Sequence, residues 1–328
     1  MHPAFSVIFL TTLIGVGQGL FLALYTGQVY AVFHVLSAQG DSHFYAVGSV
    51  VSLAFLVGGL VASFFHLGHP ERAWRSAAKW RTSWLSREVI VLPAFMGCVF
   101  LYGAAHFMGW DAPLFTLGEA LPVNFIMLVG ALGTLLCFAL FISTGMIYAC
   151  LRFLQEWHTP LTVVNFILLG GASGFTLATG YAALMAPALV GFYGKWAIII
   201  TLLAFVSRIA SLMRNCRLKP KSTLQTAIGV RHNQIAQKAQ GSMGGSFNTR
   251  EYFHGKSRPL LRSVKWVFVL AVFALPLPLL AFGLPTASGG VLLFAFLVQY
   301  SGLVAERWFF FAQANHPQNL YYQELVRD

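Results

Sequence analysis

Eight long apolar segments dominate this chain, at about 5–35, 44–66, 88–107, 122–151, 161–186, 193–213, 264–283 and 288–311. A helix that crosses a bilayer needs about 20 mostly apolar residues, and the segments meet or approach that length. Hydrophobic residues make up 57% of the 328 residues, and the mean hydropathy is +0.70. A soluble chain cannot remove so much apolar surface from water, so lipid is the solvent. In lipid the helix satisfies its own backbone, and the sequence predicts an all-α integral membrane protein of eight transmembrane helices. The second segment is clean, with no Asp, Glu, Lys or Arg from Phe44 to Phe65. The sixth is the least apolar, because Lys195 and Arg208 enclose it; both are expected to snorkel toward opposite interfaces. Pro276 and Pro278 are expected to kink the seventh. The first has no basic stretch or cleavage site of small residues and reads as a retained helix.

Charge orients the segments. A net charge of +11 in a soluble protein would suggest a nucleic-acid partner, but here all but one of the 21 Lys and Arg residues fall on one face when the sides alternate. That face carries Arg72, Arg75, Lys79, Arg81 and Arg87 after span two, and Arg152 after span four. It also carries the basic residues from Arg208 to Lys265, and Arg307 and Arg327 at the end. Lys195 alone lies opposite. The positive-inside rule then places both termini in the cytoplasm of a bacterial inner membrane protein, and an odd number of spans would scramble the separation. The whole chain, 1–328, reads as one membrane domain that binds lipid and no nucleic acid.

Two connections carry further information. In "FFHLGHPERAWRSAAKWRTSWLSREV", Ala73, Ala77, Trp80 and Trp84 recur at helical spacing, and Arg72, Arg75 and Lys79 form a second stripe. Residues 67–87 therefore read as an amphipathic helix in the interface, tryptophans toward lipid and cations toward water or headgroups. This leaves His66 and Glu88, at the end of span two and the start of span three. Two accounts of Glu88 stand: a first-turn carboxylate in a helix capped by Ser86, or a proton-handling partner of His66 at the same membrane depth. The segment 214–262, with "GSMGGS" and "FNTREYFHG", reads equally as a solvated loop or as a docking surface for an acidic partner.

The remaining motifs have plain structural readings. "GVGQG" at 15–19 and "GGASG" at 170–174 lie within spans, where small residues let helices approach closely; they are not nucleotide loops. The cysteines, Cys98, Cys137, Cys150 and Cys216, have no metal or disulfide spacing, and the three in apolar segments read as buried hydrophobes. His34 and His106 at one level, with His66 and His158 at the other, invite two bis-histidine haems. His158 precedes Pro160 in a loop, and His34 and His106 lie near water, so no haem or metal is expected.

"HLGHPERAW", "SWLSREV", "AERWFFFA" and the opening "MHPAFSVIFLTT" resemble the DmsC family, the membrane anchor subunits of dimethyl sulfoxide reductase-like molybdopterin oxidoreductases. The resemblance runs over nearly the whole chain. It implies an anchor without haem that binds a quinone, ubiquinone or menaquinone, beside its partners. Those are an iron–sulfur (ferredoxin-like) subunit and a molybdopterin catalytic subunit. It implies that His66 and Glu88 serve the quinone chemistry, and that the quinone is held by His66, Arg72, Trp80, Arg87, Glu88 and Arg307. Glu306 is carried over beside Arg307. With the basic face in the cytoplasm, the arrangement is similar to the sulfite-oxidising branch, which would pass electrons from sulfite to quinone. A reductase drawing electrons from quinol, and a transporter with ionisable groups deep in its spans, are the alternative readings.

Overall fold

The computed structural model describes residues 1–36, 41–117, 121–232, 234–235, 251–252 and 254–320. Eight helices long and apolar enough to cross a membrane are present: α1 (Phe5–Val32), α2 (Ser42–Phe64), α3 (Trp84–Phe107), α4 (Phe125–Ala149), α5 (Pro160–Met185), α6 (Val190–Cys216), α7 (Arg258–Thr286) and α8 (Gly289–Ala312). They match the eight expected segments, with ends shifted by a few residues. Between α3 and α4 the chain forms a hairpin of β1 (Pro113–Leu117) and β2 (Leu121–Asn124), which the apolar pattern does not announce.

The helices pack as two four-membered bundles. In the first, α1 packs on α2, α2 on α3, α3 on α4, and α4 returns to α1; in the second, α5, α6, α7 and α8 close in the same order. The bundles meet chiefly where α1 lies against α5, with α8 and α4 supporting the joint. These two helices are the inner ones: 67% of the central stretch of α1 and 72% of that of α5 are buried, against 28–44% for the others.

The glycine motifs explain why α1 and α5 can be inner. A Cβ on Gly19 would overlap the Gly170 carbonyl, and one on Gly174 would overlap the backbone of Gly19 and Leu20. Backbone meets backbone here, which is how helices gain dispersion contact when lipid supplies no hydrophobic drive. Ser52 on α2 adds a hydrogen bond to the Gly17 carbonyl at 2.8 Å.

The seventh helix is interrupted rather than merely bent. Leu270–Ala274 forms a π turn, in which the Leu275 amide reaches back to the Leu270 carbonyl at 2.9 Å. Pro276 follows and has no N–H for the Val272 carbonyl one turn earlier. Gln299 of α8 donates to that carbonyl from Nε2 at 3.2 Å, so a neighbouring helix repairs the lost bond.

One face gathers the start of α1, the end of α8 and the α4–α5 and α6–α7 connections. The Met1 amino group donates to the Ala314 carbonyl at 2.6 Å, Trp157 to Phe310 at 2.9 Å, and Arg214 to Gln155 at 3.0 Å. His254 Nε2 and the Ala312 carbonyl are 3.1 Å apart, so the start of α1, the α4–α5 connection and the ends of α6 and α8 are tied together. The central part of the 214–262 segment, including "GSMGGS", lies outside the described residues, as do Glu119 and Arg327. Of the cysteines, Cys98 and Cys137 are buried, but Cys150, at the C-terminal cap of α4, is exposed rather than buried as expected.

The glycine joint is testable. Gly174→Ala should lower the stability of the purified protein by about 1–3 kcal/mol, the usual cost of overpacking. Gly97→Ala in α3, whose methyl would meet nothing within 4 Å, should be neutral or gain up to about 1 kcal/mol. Thermal unfolding in one detergent compares the two, and equal behaviour would refute the joint.

Candidate functional site

Ser83, not Ser86, starts α3: its hydroxyl accepts the Ser86 amide at 3.3 Å, and the helix begins at Trp84, four residues earlier than expected. Glu88 thereby moves to the second turn, and the first turn holds no acidic residue. The capping account of Glu88 is removed. Its carboxylate instead turns into the protein, where the Thr144 hydroxyl of α4 donates to Oε1 at 2.5 Å.

Glu88 and Thr144 line a cavity at the joint of the two bundles. Thr11, Thr12 and Gln18 of α1, Ser173 of α5 and Arg307 of α8 share it. Glu88, Thr144 and Arg307 stand toward the basic-face ends of α3, α4 and α8, whereas Gln18 and Ser173 stand at the middle of α1 and α5, so the cavity extends from that side toward the midplane. The space for water centres is about 20 Å³. One water needs about 10–15 Å³ by that measure, so the cavity holds one or two waters and no quinone ring.

Arg307 belongs also to a buried ionic cluster. Glu306 contacts Arg208 Nε at 2.7 Å and Arg307 Nε at 2.8 Å, and all three side chains are at most 5% exposed. Arg208 therefore does not snorkel to the interface, as its position in span six suggests. A carboxylate on α8 holds it inside, because a charge in lipid is stabilised far better by a counterion than by a stretched stem. Arg307 further lies 4.0 Å from the centre of the Phe166 ring.

The other expected site residues form a separate, exposed group. His66 lies beyond the end of α2, and no hydrogen bond or ion pair joins it to Glu88 among the described residues. Partial burial lowers its pKa, so the imidazole is neutral at pH 7. The connection after it is a 3-10 helix, Pro70–Lys79, with no buried residue, instead of an α-helix reaching Trp84. Arg72 faces solvent and approaches Glu71 at 3.6 Å, while Glu71 also contacts His69 at 3.1 Å. Arg87 donates to the carbonyls of Trp80 and Arg81 at 2.9 and 2.8 Å and stacks on Trp84 at 4.1 Å. It clamps the turn onto α3. Trp80 is 54% exposed, with Arg81 over its ring.

Of the other histidines weighed as haem ligands, His34 is exposed beyond the end of α1, while His106 and His158 serve packing and capping. His106 stacks on Tyr45 and meets Tyr102 edge-on, at 4.6 and 4.7 Å between ring centres. His158 Nδ1 is 2.6 Å from the Ala149 carbonyl, at the end of α4. Sequence reasoning missed Thr144, Gln18 and the pairing of Arg208. Their shared signal is a polar residue inside an apolar span, which in lipid must face a partner or water.

The cluster predicts a stability pattern. Glu306→Gln strands two buried guanidinium groups and should cost about 3–5 kcal/mol. Adding Arg208→Met should recover part of that loss, since one stranded charge goes with it. Denaturation of the purified single and double variants measures both. A double variant no more stable than Glu306→Gln would deny the pairing.

Comparison with known proteins sets this geometry in context. The family described as DMSO reductase anchor subunit (DmsC) matches residues 1–312. A protein of Allochromatium vinosum, described as a subunit of sulfite dehydrogenase, is 61% identical over 326 residues, covering 99% of this chain and 100% of that protein.

Proposed function

The chain belongs to the DmsC family of membrane anchor subunits, and from that premise we propose that it is the quinone-reactive anchor of a cytoplasm-facing sulfite dehydrogenase. The sulfite assignment is supported by the 61% identity, over the whole length, to a protein described as a sulfite dehydrogenase subunit. The basic face supports the cytoplasmic side, because Lys and Arg collect there. Partners would be an iron–sulfur subunit and a molybdopterin catalytic subunit, docked on the basic face.

The observation that carries the quinone reading is Glu88, a buried carboxyl within a membrane-spanning helix that faces a water-sized cavity. Such a group is expensive to keep in a membrane protein and is a functional group by default. The exposed surface around His66 fits a quinone head. Phe65 is 82% exposed, Trp74 72% and Trp80 54%, so the connection that carries His66 and Arg72 also presents three exposed aromatics.

A quinone accepts two electrons and two protons. The electrons would arrive from the partner's clusters; this chain supplies protons and a place to bind. His66, neutral at rest, takes a proton from water and presents it at the reduced oxygen, which is strongly basic. Arg72 favours the developing negative charge. Glu88 is the internal donor, its carboxyl oriented by Thr144 and recharged through the water cavity.

Two outcomes test this. In the intact complex, His66→Ala and Glu88→Gln should each slow quinone reduction by roughly 100-fold, the contribution of one general acid. Substrate oxidation with a soluble artificial acceptor should persist. Near-parental quinone reduction in both would remove the assignment. For orientation, a reporter active only in the periplasm should be silent when fused after Asp328 and active when inserted after Trp110. The reverse pattern would overturn the cytoplasmic side.

A further inference from the structure

Three cavities run from the basic surface to Glu88, and each shares walls with the next. The outermost, about 570 Å³, opens between the α4–α5 connection, the end of α6 and the segment after α8. Glu156, Asn215 and Gln313 are among its walls. The same three residues form one end of a second space, about 10 Å³, whose other walls include Asn165, Ser211 and the Arg208–Glu306–Arg307 cluster. Arg307 in turn walls the cavity in which Glu88 and Thr144 stand.

Buried polar atoms along this run have no hydrogen-bond partner among the described residues: Asn165 Oδ1, Arg208 Nη2, Arg307 Nη1 and Gln313 Nε2. Orphaned polar atoms around a polar, water-sized space are where ordered waters sit. The cluster itself does not carry a proton. Arginine keeps its charge, and Glu306 has both carboxylate oxygens engaged by guanidinium groups. Waters in these spaces would be the carriers, with the carboxyl groups of Glu156 and Glu88 at the two ends.

We propose that protons consumed at the quinone enter by this route: from the basic surface at Glu156, through water held by the Arg208–Glu306–Arg307 cluster, to Glu88. The route rests on the assignment of Glu88 to quinone protonation. Each proton bound at the surface displaces one along the water chain, and Glu88 gives up one proton and regains one. One such transfer, together with the proton presented by His66, accompanies the two electrons delivered by the partner and completes the quinol. Glu156, Asn165 and Ser211 are positioning residues, since none touches the quinone.

The test uses the intact complex with four variants: Ser211→Leu, which fills the second space; Glu156→Gln at the entrance; Glu88→Gln; and Leu203→Phe, on the outer side of the same helix, where Leu203 is 53% exposed. Sulfite-driven reduction of quinone and of an artificial acceptor is measured in H₂O and D₂O. Ser211→Leu and Glu156→Gln should slow quinone reduction at least about tenfold and raise its solvent isotope effect, because proton delivery becomes limiting. Artificial-acceptor rates should hold, and Leu203→Phe should be parental. Parental quinone rates in Ser211→Leu and Glu156→Gln with an impaired Glu88→Gln overturn the route and leave Glu88 in place. Parental rates in all three overturn both. Loss with both acceptors and an unchanged isotope effect also overturns the route, as damage to the fold would produce it. If Ser211→Leu does not co-purify with its partners, Glu156→Gln decides.

Discussion

The contact between α1 and α5 holds two four-helix bundles together, and lipid gives it no hydrophobic assistance. Apolar side chains are as well solvated by acyl tails as by each other, so the joint must form through close dispersion contact. Gly19 and Gly174 permit it, because a methyl on either would occupy the partner's backbone. The same approach shapes the candidate site. Gly15 and Gly170, neighbours in that contact, form one wall of the cavity that holds Glu88, Thr144 and Arg307. A wider joint would open the cavity to more water; a tighter one would close it. The seam and the chemistry share one set of glycines.

The second constraint is the cost of charge in a low-dielectric interior. Burying an ion pair rarely stabilises a fold relative to well-packed apolar residues. Arg208, Glu306 and Arg307 are therefore poor candidates for a purely structural device. Their ionic contacts leave Arg208 Nη2 and Arg307 Nη1 unpartnered among the described residues, beside a space of water size. A fold that needed only neutral helix contact would not keep such atoms. A transporter would place such charges at the bilayer midplane; here they lie in the halves of α6 and α8 toward the basic face.

Much of the fold is legible in the sequence because the bilayer allows few solutions. Hydropathy marks eight spans, and the glycines at 15–19 and 170–174 announce a close joint on chemistry alone. The misreadings have physical causes. Trp84 to Arg87 reads as the end of the interfacial helix because three of those four residues are polar or aromatic, yet Ser83 supplies the cap that starts α3 there and Arg87 the clamp. Arg208 looks able to reach the interface because its partner, Glu306, stands far along the chain. The stripes in residues 70–79 suit 3.6 residues per turn, but the segment adopts the tighter 3-10 form and buries nothing. Thr144 carries no motif at all. It becomes a site residue only when α4 is laid beside α3.

Separation of His66 from Glu88 narrows where the quinone can sit. The cavity at Glu88 has room for water and not for a ring, so on the proposed function the head would lie outside it, on the surface that carries His66, Arg72 and the exposed aromatics. That surface is open in the isolated chain. A quinone head bound there would be wet on one side, and hydration would weaken both its contacts and the charge stabilisation from Arg72. A partner subunit laid over the 3-10 helix would exclude that water and bring its electron donor to the same place. Binding and reduction would then be completed by assembly. On this arrangement an anchor purified alone should bind quinone weakly, the assembled complex tightly, and Glu88, supplied from within, should serve the ring from the side the partner does not cover.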